Sequence, residues 1–371
     1  MVVNSIKKNL SNIPGFRSNR KIVVFESDDW GSIRMPSIAA FSRLEKAGVD
    51  LRSCTAERYN LYDTLAGEND LAGLFEVLSR FKDSQDNNPV FTALAIVANP
   101  DFQKIKESGF SKYFYEPFTE NLKRIPGCEN SLTLWKEGIE RKIFIPEMHG
   151  REHLNVSAWL RALQKGDKNT LSAFDEGMWG FVPDQKVFPG TDFQAAFQLA
   201  DPQEINYHKE IIEDGLDLFE KIFGYKAQYF VPPNGPFNNK LNVTLSSGGI
   251  KYRSTSKVQK ESVRNGKTRN VIHWLGQKEN GITYITRNCF FEPSPHNEDW
   301  VDKCLSDINI AFKWHKPAIV STHRVNFIGS LNASNRDRTL KSLDQLLGQI
   351  IKSWPEVEFL TTSELGKLID A

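Results

Sequence analysis

KIVVFESDDW, residues 21–30, is the stretch whose reading decides the fold. Lys21 to Ser27 is a short β-branched and aromatic run, the pattern of a buried strand. It runs straight into Asp28 and Asp29. In α/β folds a strand's C-terminal end is the end that binds ligands, so two carboxylates there point to a site. Outward from this strand the same alternation repeats. Strands are expected at Val90–Ala98, Ile143–Ile145, Gln228–Val231, Ile250–Ser254, Ala318–Ser321 and Glu358–Leu360. Between them lie helical patterns at residues 37–46, with Ser37 as N-cap, and at 69–82, 132–142, 155–164 and 204–223. Further helices are expected at 237–247, 298–314, 337–353 and 363–369. Residues 204–223 are expected to be the longest clean helix in the chain, closed by Gly224 as its C′ residue. Thr268–Arg287 reads as a β-hairpin around Glu279-Asn280-Gly281. Strands alternating with helices predict an α/β protein with a parallel barrel or sheet. With no linker and no internal repeat, residues 1–371 are expected to form a single domain, elaborated at about 31–140 and 255–297.

Forty per cent hydrophobic and 11% aromatic residues suffice for a substantial core. Lys+Arg 47 against Asp+Glu 46 gives a net charge of +1 with no block of one sign, which argues against nucleic acid as a partner. No apolar run reaches the roughly 18 residues of a membrane span. Residues 1–20 lack the apolar segment of a secretory signal, so a cytoplasmic location is expected. Cys54, Cys128, Cys289 and Cys304 are far apart and form no CxxC pair, and they read as reduced thiols.

Met148-His149-Gly150-Arg151-Glu152-His153 carries two histidines four residues apart. On a helix that spacing puts both on one face, about 6 Å apart at Cβ, close enough to share a metal ion. Two helix-surface histidines are the plainer reading of HxxxH alone. Its company raises the metal reading: Ser27-Asp28-Asp29-Trp30 early in the chain and Ser321-Thr322-His323 late in it. Imidazoles with a carboxylate make an open, catalytic kind of ligand set that leaves a position for water.

Together these features resemble the polysaccharide deacetylase family, carbohydrate esterases of the NodB-homology type. Phe25-Glu26-Ser27-Asp28-Asp29 resembles the family's first motif, and His149–His153 its metal-binding HxxxH. Phe223-Gly224-Tyr225, leading into Val231-Pro232-Pro233-Asn234-Gly235, is similar to its RxPYG region. Val320-Ser321-Thr322-His323 resembles its late LxH motif, and Phe359–Leu365 its closing strand and helix. The resemblance covers Lys21 to Leu365 and implies a distorted (β/α) barrel with inserted loops and a hairpin. It further implies a divalent metal, zinc first, with cobalt, nickel or iron also suited, held by Asp29, His149 and His153. Asp28 would be the general base, His323 the general acid, and the N–H of Asn234 an oxyanion donor. Pro233 and Asn234 would line the substrate site, and Trp30 and Trp179 could stack on sugar rings. The implied substrate is an acetylated saccharide.

Two departures from the family pattern stand out. Val231 occupies the place of the arginine that tunes the base, and Asn234 that of a tyrosine. After the strand at 250–254 come Thr255-Ser256-Lys257, where the family has an aspartate that orients the acid histidine. Arg253, Arg287 or Arg324 are candidates for the missing cation, and Glu292 or Asp299 for the missing carboxylate. Besides a deacetylase, the chain could be an amidohydrolase acting on a non-sugar amide or imide. It could also be an inactive carbohydrate-binding protein on the same fold.

Overall fold

The structure, a computed structural model, describes residues 2–52, 57–264, 267–295 and 298–371. Cys54 lies outside the described residues; Cys128, Cys289 and Cys304 are buried free thiols.

One ten-stranded sheet organises the chain. Its strands are β1 (Ile22–Trp30), β2 (Phe91–Ile96), β3 (Phe144–Gly150), β4 (Tyr229–Phe230), β5 (Tyr252–Ser254), β6 (Lys278–Glu279), β7 (Ile282–Ile285), β8 (Cys289–Phe290), β9 (Ala318–His323) and β10 (Glu358–Phe359). They run in the order β6-β7-β5-β4-β3-β2-β1-β9-β8, with β10 on β1. All pairings are parallel except β6 with β7. The sheet has to curl. Seven strand steps separate β7 from β8 in that order, roughly 34 Å across a flat sheet at about 4.8 Å per step. Yet Cys289 follows Ile285 by four residues, which reach at most about 14 Å. A curled, mostly parallel sheet consistent with a distorted barrel results, with Thr286–Asn288 spanning the gap.

β1 is buried along its whole length, as a central strand covered on both faces must be. The main core joins Phe25, Phe91 and Phe144 of the sheet to buried side chains of the helices Glu68–Ser79, Ser131–Glu140, which carries Trp135, and Ala333–Ser353. A second apolar cluster joins Met35, Phe41 and Leu44 to Trp159, Phe174 and Trp179. It fastens the segment after β1 to the segment after β3.

Local signals held where they were purely local. Ser37 Oγ accepts the Ala40 N–H as the N-cap of helix Ile38–Lys46. Gly224, at φ 78°, ends helix Glu204–Phe223. Three expectations are corrected. His149 and His153 share no helix: His149 belongs to β3, and His153 lies in the loop before helix Val156–Gln164. The long hairpin at 268–287 is two separate pairings. Lys267–Ile272 pairs with Val258–Arg264, and only Lys278–Glu279 with Ile282–Ile285 turns at Asn280-Gly281. Both turn residues have positive φ, 49° and 77°, as such two-residue turns require. The helix expected at 237–247 begins later, as a 3₁₀ turn at Asn239–Leu241 followed by Asn242–Ser247. The helix Val2–Ser11 and the ribbon of Ala98–Pro100 with Tyr115–Pro117 were not among the expected elements. No helix among the described residues is long and apolar enough to cross a membrane.

Candidate metal centre and active site

Two irregularities at the C-terminal ends of neighbouring strands build the site. On β1, Ser27 pairs with Ala93 and Trp30 with Ala95, so Asp28 and Asp29 together oppose one residue of β2. Successive strand residues ordinarily face opposite sides of a sheet. The bulge, with Asp29 at φ 77°, lets both carboxylates line the same cavity. On β3, Ala95 pairs with Met148 and Ile96 with Gly150, which leaves His149 as the unmatched residue.

Asp29 Oδ1 lies 3.3 Å from His149 Nε2 and 3.2 Å from His153 Nε2. The three side chains are buried, and one ligand atom from each falls within 4.8 Å of the others. His149 Nδ1 donates to the Val231 carbonyl at 2.7 Å. That bond fixes the tautomer, so a neutral His149 turns the Nε2 lone pair toward the Asp29 carboxylate. Asp29 Oδ1 itself has no hydrogen-bond partner among the described residues. Lone pairs facing one another in a buried place call for a cation between them, and two imidazoles with a carboxylate are a donor set for a divalent metal. Burial pushes the Asp29 carboxyl up, but the two histidines more than reverse this and hold it well below the usual range. Burial holds the His153 imidazole below its ordinary value, toward the neutral form that ligates.

Asp28 stands directly across from His323 in the β1–β9 register. Their side chains come within 3.8 Å, His323 Nε2 to Asp28 Oδ2. The other partner of each comes from the segment that closes the sheet or just after it. Arg287 grips Asp28 with two bonds of 2.7 and 2.6 Å and sends Nε to Glu26 at 2.6 Å. Burial raises the Asp28 carboxyl, and the Arg287 guanidinium outweighs it, leaving Asp28 below its usual value. His323 Nδ1 donates to Glu292 Oε1 at 2.6 Å, and Glu292 also accepts from Arg58 and Asn326 at 2.6 and 2.9 Å. Burial lowers the His323 imidazole, and Glu292 more than compensates, raising it above its ordinary value. Of the alternatives open in the sequence, Arg287 and Glu292 take these places. Arg253 is enclosed by the rings of Phe237 and Tyr284, Arg324 pairs with Asp63, and Asp299 caps helix Trp300–Lys313.

A cavity of about 730 Å³ opens over these groups. Asn234 lines it at φ 52°, its amide donating to Asp192 at 3.0 Å. Pro232, not Pro233, forms that part of the wall; Pro233 is buried. Trp30 is corrected outright. At 1% exposure, edge-on to Trp135 and Phe144 with its N–H on Ser27, it is core and cannot meet a sugar. Trp179 is equally buried and stacks behind His153 at 6.0 Å. Arg34, Tyr59, Gln194 and Lys257 also line the cavity. Arg34, Gln194 and Lys257 are brought in by irregular segments and Tyr59 by the short helix Glu57–Tyr62, so no spacing in the sequence marks them.

No protein-family model and no curated protein sequence matches the chain. Among solved structures it is similar to a Mycobacterium smegmatis protein assigned as a polysaccharide deacetylase. The TM-score is 0.44 and the identity 11%, over 96% of this chain and 93% of that one. A Pseudomonas aeruginosa PAO1 protein with the same assignment gives a TM-score of 0.47 and 8% identity, over 94% and 91%. A 4-alpha-glucanotransferase from Thermococcus litoralis gives 0.46 and 13%, over 93% of this chain and 40% of that one. Likeness at this level carries no weight for activity, which has to rest on the site.

Proposed function

We propose that the protein is a metal-dependent deacetylase that removes acetyl groups from an acetylated saccharide. One observation carries the reading: the Asp29–His149–His153 cluster shares a cavity with a carboxylate held by an arginine and an imidazole held by a carboxylate. The saccharide and the acetyl group come from the motif resemblance. A divalent metal, zinc first, held by those three residues would supply an acidified water and a polarised acyl carbonyl. Asp28, kept ionised by Arg287, takes the proton from the attacking water. His323, kept protonated by Glu292, gives a proton to the departing amine or alkoxide. The backbone N–H of Asn234 donates to the oxyanion. Acetate and a free sugar amine or hydroxyl leave. Support for an active site over an inert one comes from Arg287 and Glu292, a cation on the proposed base and a carboxylate on the proposed acid, the two kinds of partner that the motifs themselves lack.

Acetate release from a panel of acetylated saccharides, before and after chelation and metal restoration, tests this. Release that disappears with chelator, returns with metal and is abolished in Asp28→Asn is the expected result. Carboxylate from non-sugar amides without acetate would move the assignment to an amidohydrolase. Tight saccharide binding with no turnover at full metal loading would move it to a binding protein.

A further inference from the structure

Most buried cations of this chain meet a carboxylate: on the cavity wall Arg287 pairs with Asp28 and Arg58 with Glu292. Arg324 is fully buried and pairs with Asp63 at 2.9 Å; Arg151 is buried and pairs with Glu152 at 2.6 Å. Neither lines the cavity. Arg34, Arg253 and Lys257 do line it, and none of them forms an ion pair with a carboxylate among the described residues. Arg34 is buried and donates Nη2 to the amide oxygen of Gln194, while its Nε and Nη1 have no acceptor among the described residues. Arg253 is buried too, with Nη2 on the amide oxygens of Asn239 and Gln259 at 3.0 and 3.1 Å and its other two nitrogens without an acceptor. Lys257 spends one donor of its ammonium on Ser11 Oγ at 3.1 Å, which leaves the others for a ligand.

Taking a cation out of water without a counter-charge is costly, and chains seldom do it without a use. The anions of the same wall do not balance the three. Asp28 is matched by Arg287, Asp29 faces the two histidines, and Asp192 is bonded to the Asn234 amide. Arg34 sits at the reactive end. Its guanidinium lies 4.8 Å from the Tyr59 ring and 5.6 Å from the Trp179 ring, which pack against His323 and His153 respectively. Lys257 comes from a different part of the chain, beside the N-terminal helix. A cleft lined by one sign of charge concentrates ligands of the other.

We propose that the cavity selects an anionic saccharide, a sugar unit bearing a carboxylate or a phosphate ester, whose charge is met by Arg34 and Lys257 with Arg253 reinforcing the field. Guanidinium and ammonium donors suit both anions. The inference rests on the deacetylase reading and names its substrate class.

Steady-state acetate release by the metal-loaded protein tests it on matched pairs. An O-acetylated hexuronate oligomer is compared with its carboxyl-reduced counterpart, and an N-acetylhexosamine phosphate with N-acetylhexosamine. The charged member of at least one pair should show about a tenfold higher kcat/KM, carried by KM, that declines as salt is raised. The pair that responds tells carboxylate from phosphate. Lys257→Gln and Arg34→Gln should each shrink that preference, and Lys257→Arg should keep it. Neutral members turned over as well as charged ones, or a preference unmoved by either variant, would overturn the inference. If no compound releases acetate, the deacetylase reading is what fails. Calorimetric binding of the hexuronate oligomer against its neutral counterpart then decides the anion site: tighter binding of the charged member that Lys257→Gln weakens upholds it, and equal binding overturns it.

Discussion

Arg287→Met tests the electrostatic frame of the site. Arg287 is one cation serving two buried carboxylates, Glu26 through Nε at 2.6 Å and Asp28 through two bonds of 2.7 and 2.6 Å. Methionine keeps much of the side-chain volume and removes the charge. Glu26 retains hydrogen bonds from the Tyr229 and Thr362 hydroxyls, each at 2.8 Å, so most of the loss falls on Asp28. Removing one partner of a buried ion pair costs about 3–5 kcal/mol, because the other charge stays behind in a poor solvent. The loss should therefore be about 3–5 kcal/mol at pH 7, read from urea unfolding with an unchanged slope. It should also depend on pH in a definite direction. In the native protein Asp28 is held below its ordinary value, so its pairing contributes stability above about pH 4 and loses it as pH falls through the lower folded value. Without Arg287, burial is opposed only by His149 and His323 and the carboxyl takes up a proton more readily, so the deficit is full near neutrality and shrinks toward pH 4. Coupling to Asp28→Asn closes a double-mutant cycle: Arg287→Met should cost clearly less once Asp28 is already neutral. A deficit under about 1 kcal/mol, or one equal at pH 7 and pH 4, would refute the reasoning.

Two further outcomes follow from the same geometry. Glu292→Gln removes the carboxylate that raises the His323 imidazole. The alkaline limb of the kcat/KM profile should then shift to lower pH while the acid limb, set by Asp28, stays in place; an unmoved alkaline limb removes His323 from the acid role. Trp30→Ala should destabilise by about 3–5 kcal/mol in thermal or urea unfolding, since it empties a site bounded by Trp135 and Phe144. A Trp30→Ala protein that unfolds like the parent but loses saccharide affinity would restore the stacking role.

The sequence by itself determined what depends on neighbours along the chain. Alternating strand and helix patterns, the Ser37 cap and the Gly224 stop are set within a few residues, and each stands in the structure. The aspartate pair and HxxxH could be named because one strand carries each to its C-terminal end. How those residues are arranged was beyond local reading. HxxxH suggested a helix face, yet the two imidazoles meet Asp29 through a bulged strand and a loop. Trp30, placed beside the carboxylates by sequence, turns inward because the bulge reorients the residues around it. Arg287 and Glu292 could only be named among several candidates. Arg287 reaches a carboxylate 259 residues away, and that contact exists because a ten-stranded sheet must curl until a three-residue link spans its gap. Periodicity reports what a side chain does relative to its own strand or helix. Which distant charge it finds is decided by how the sheet closes.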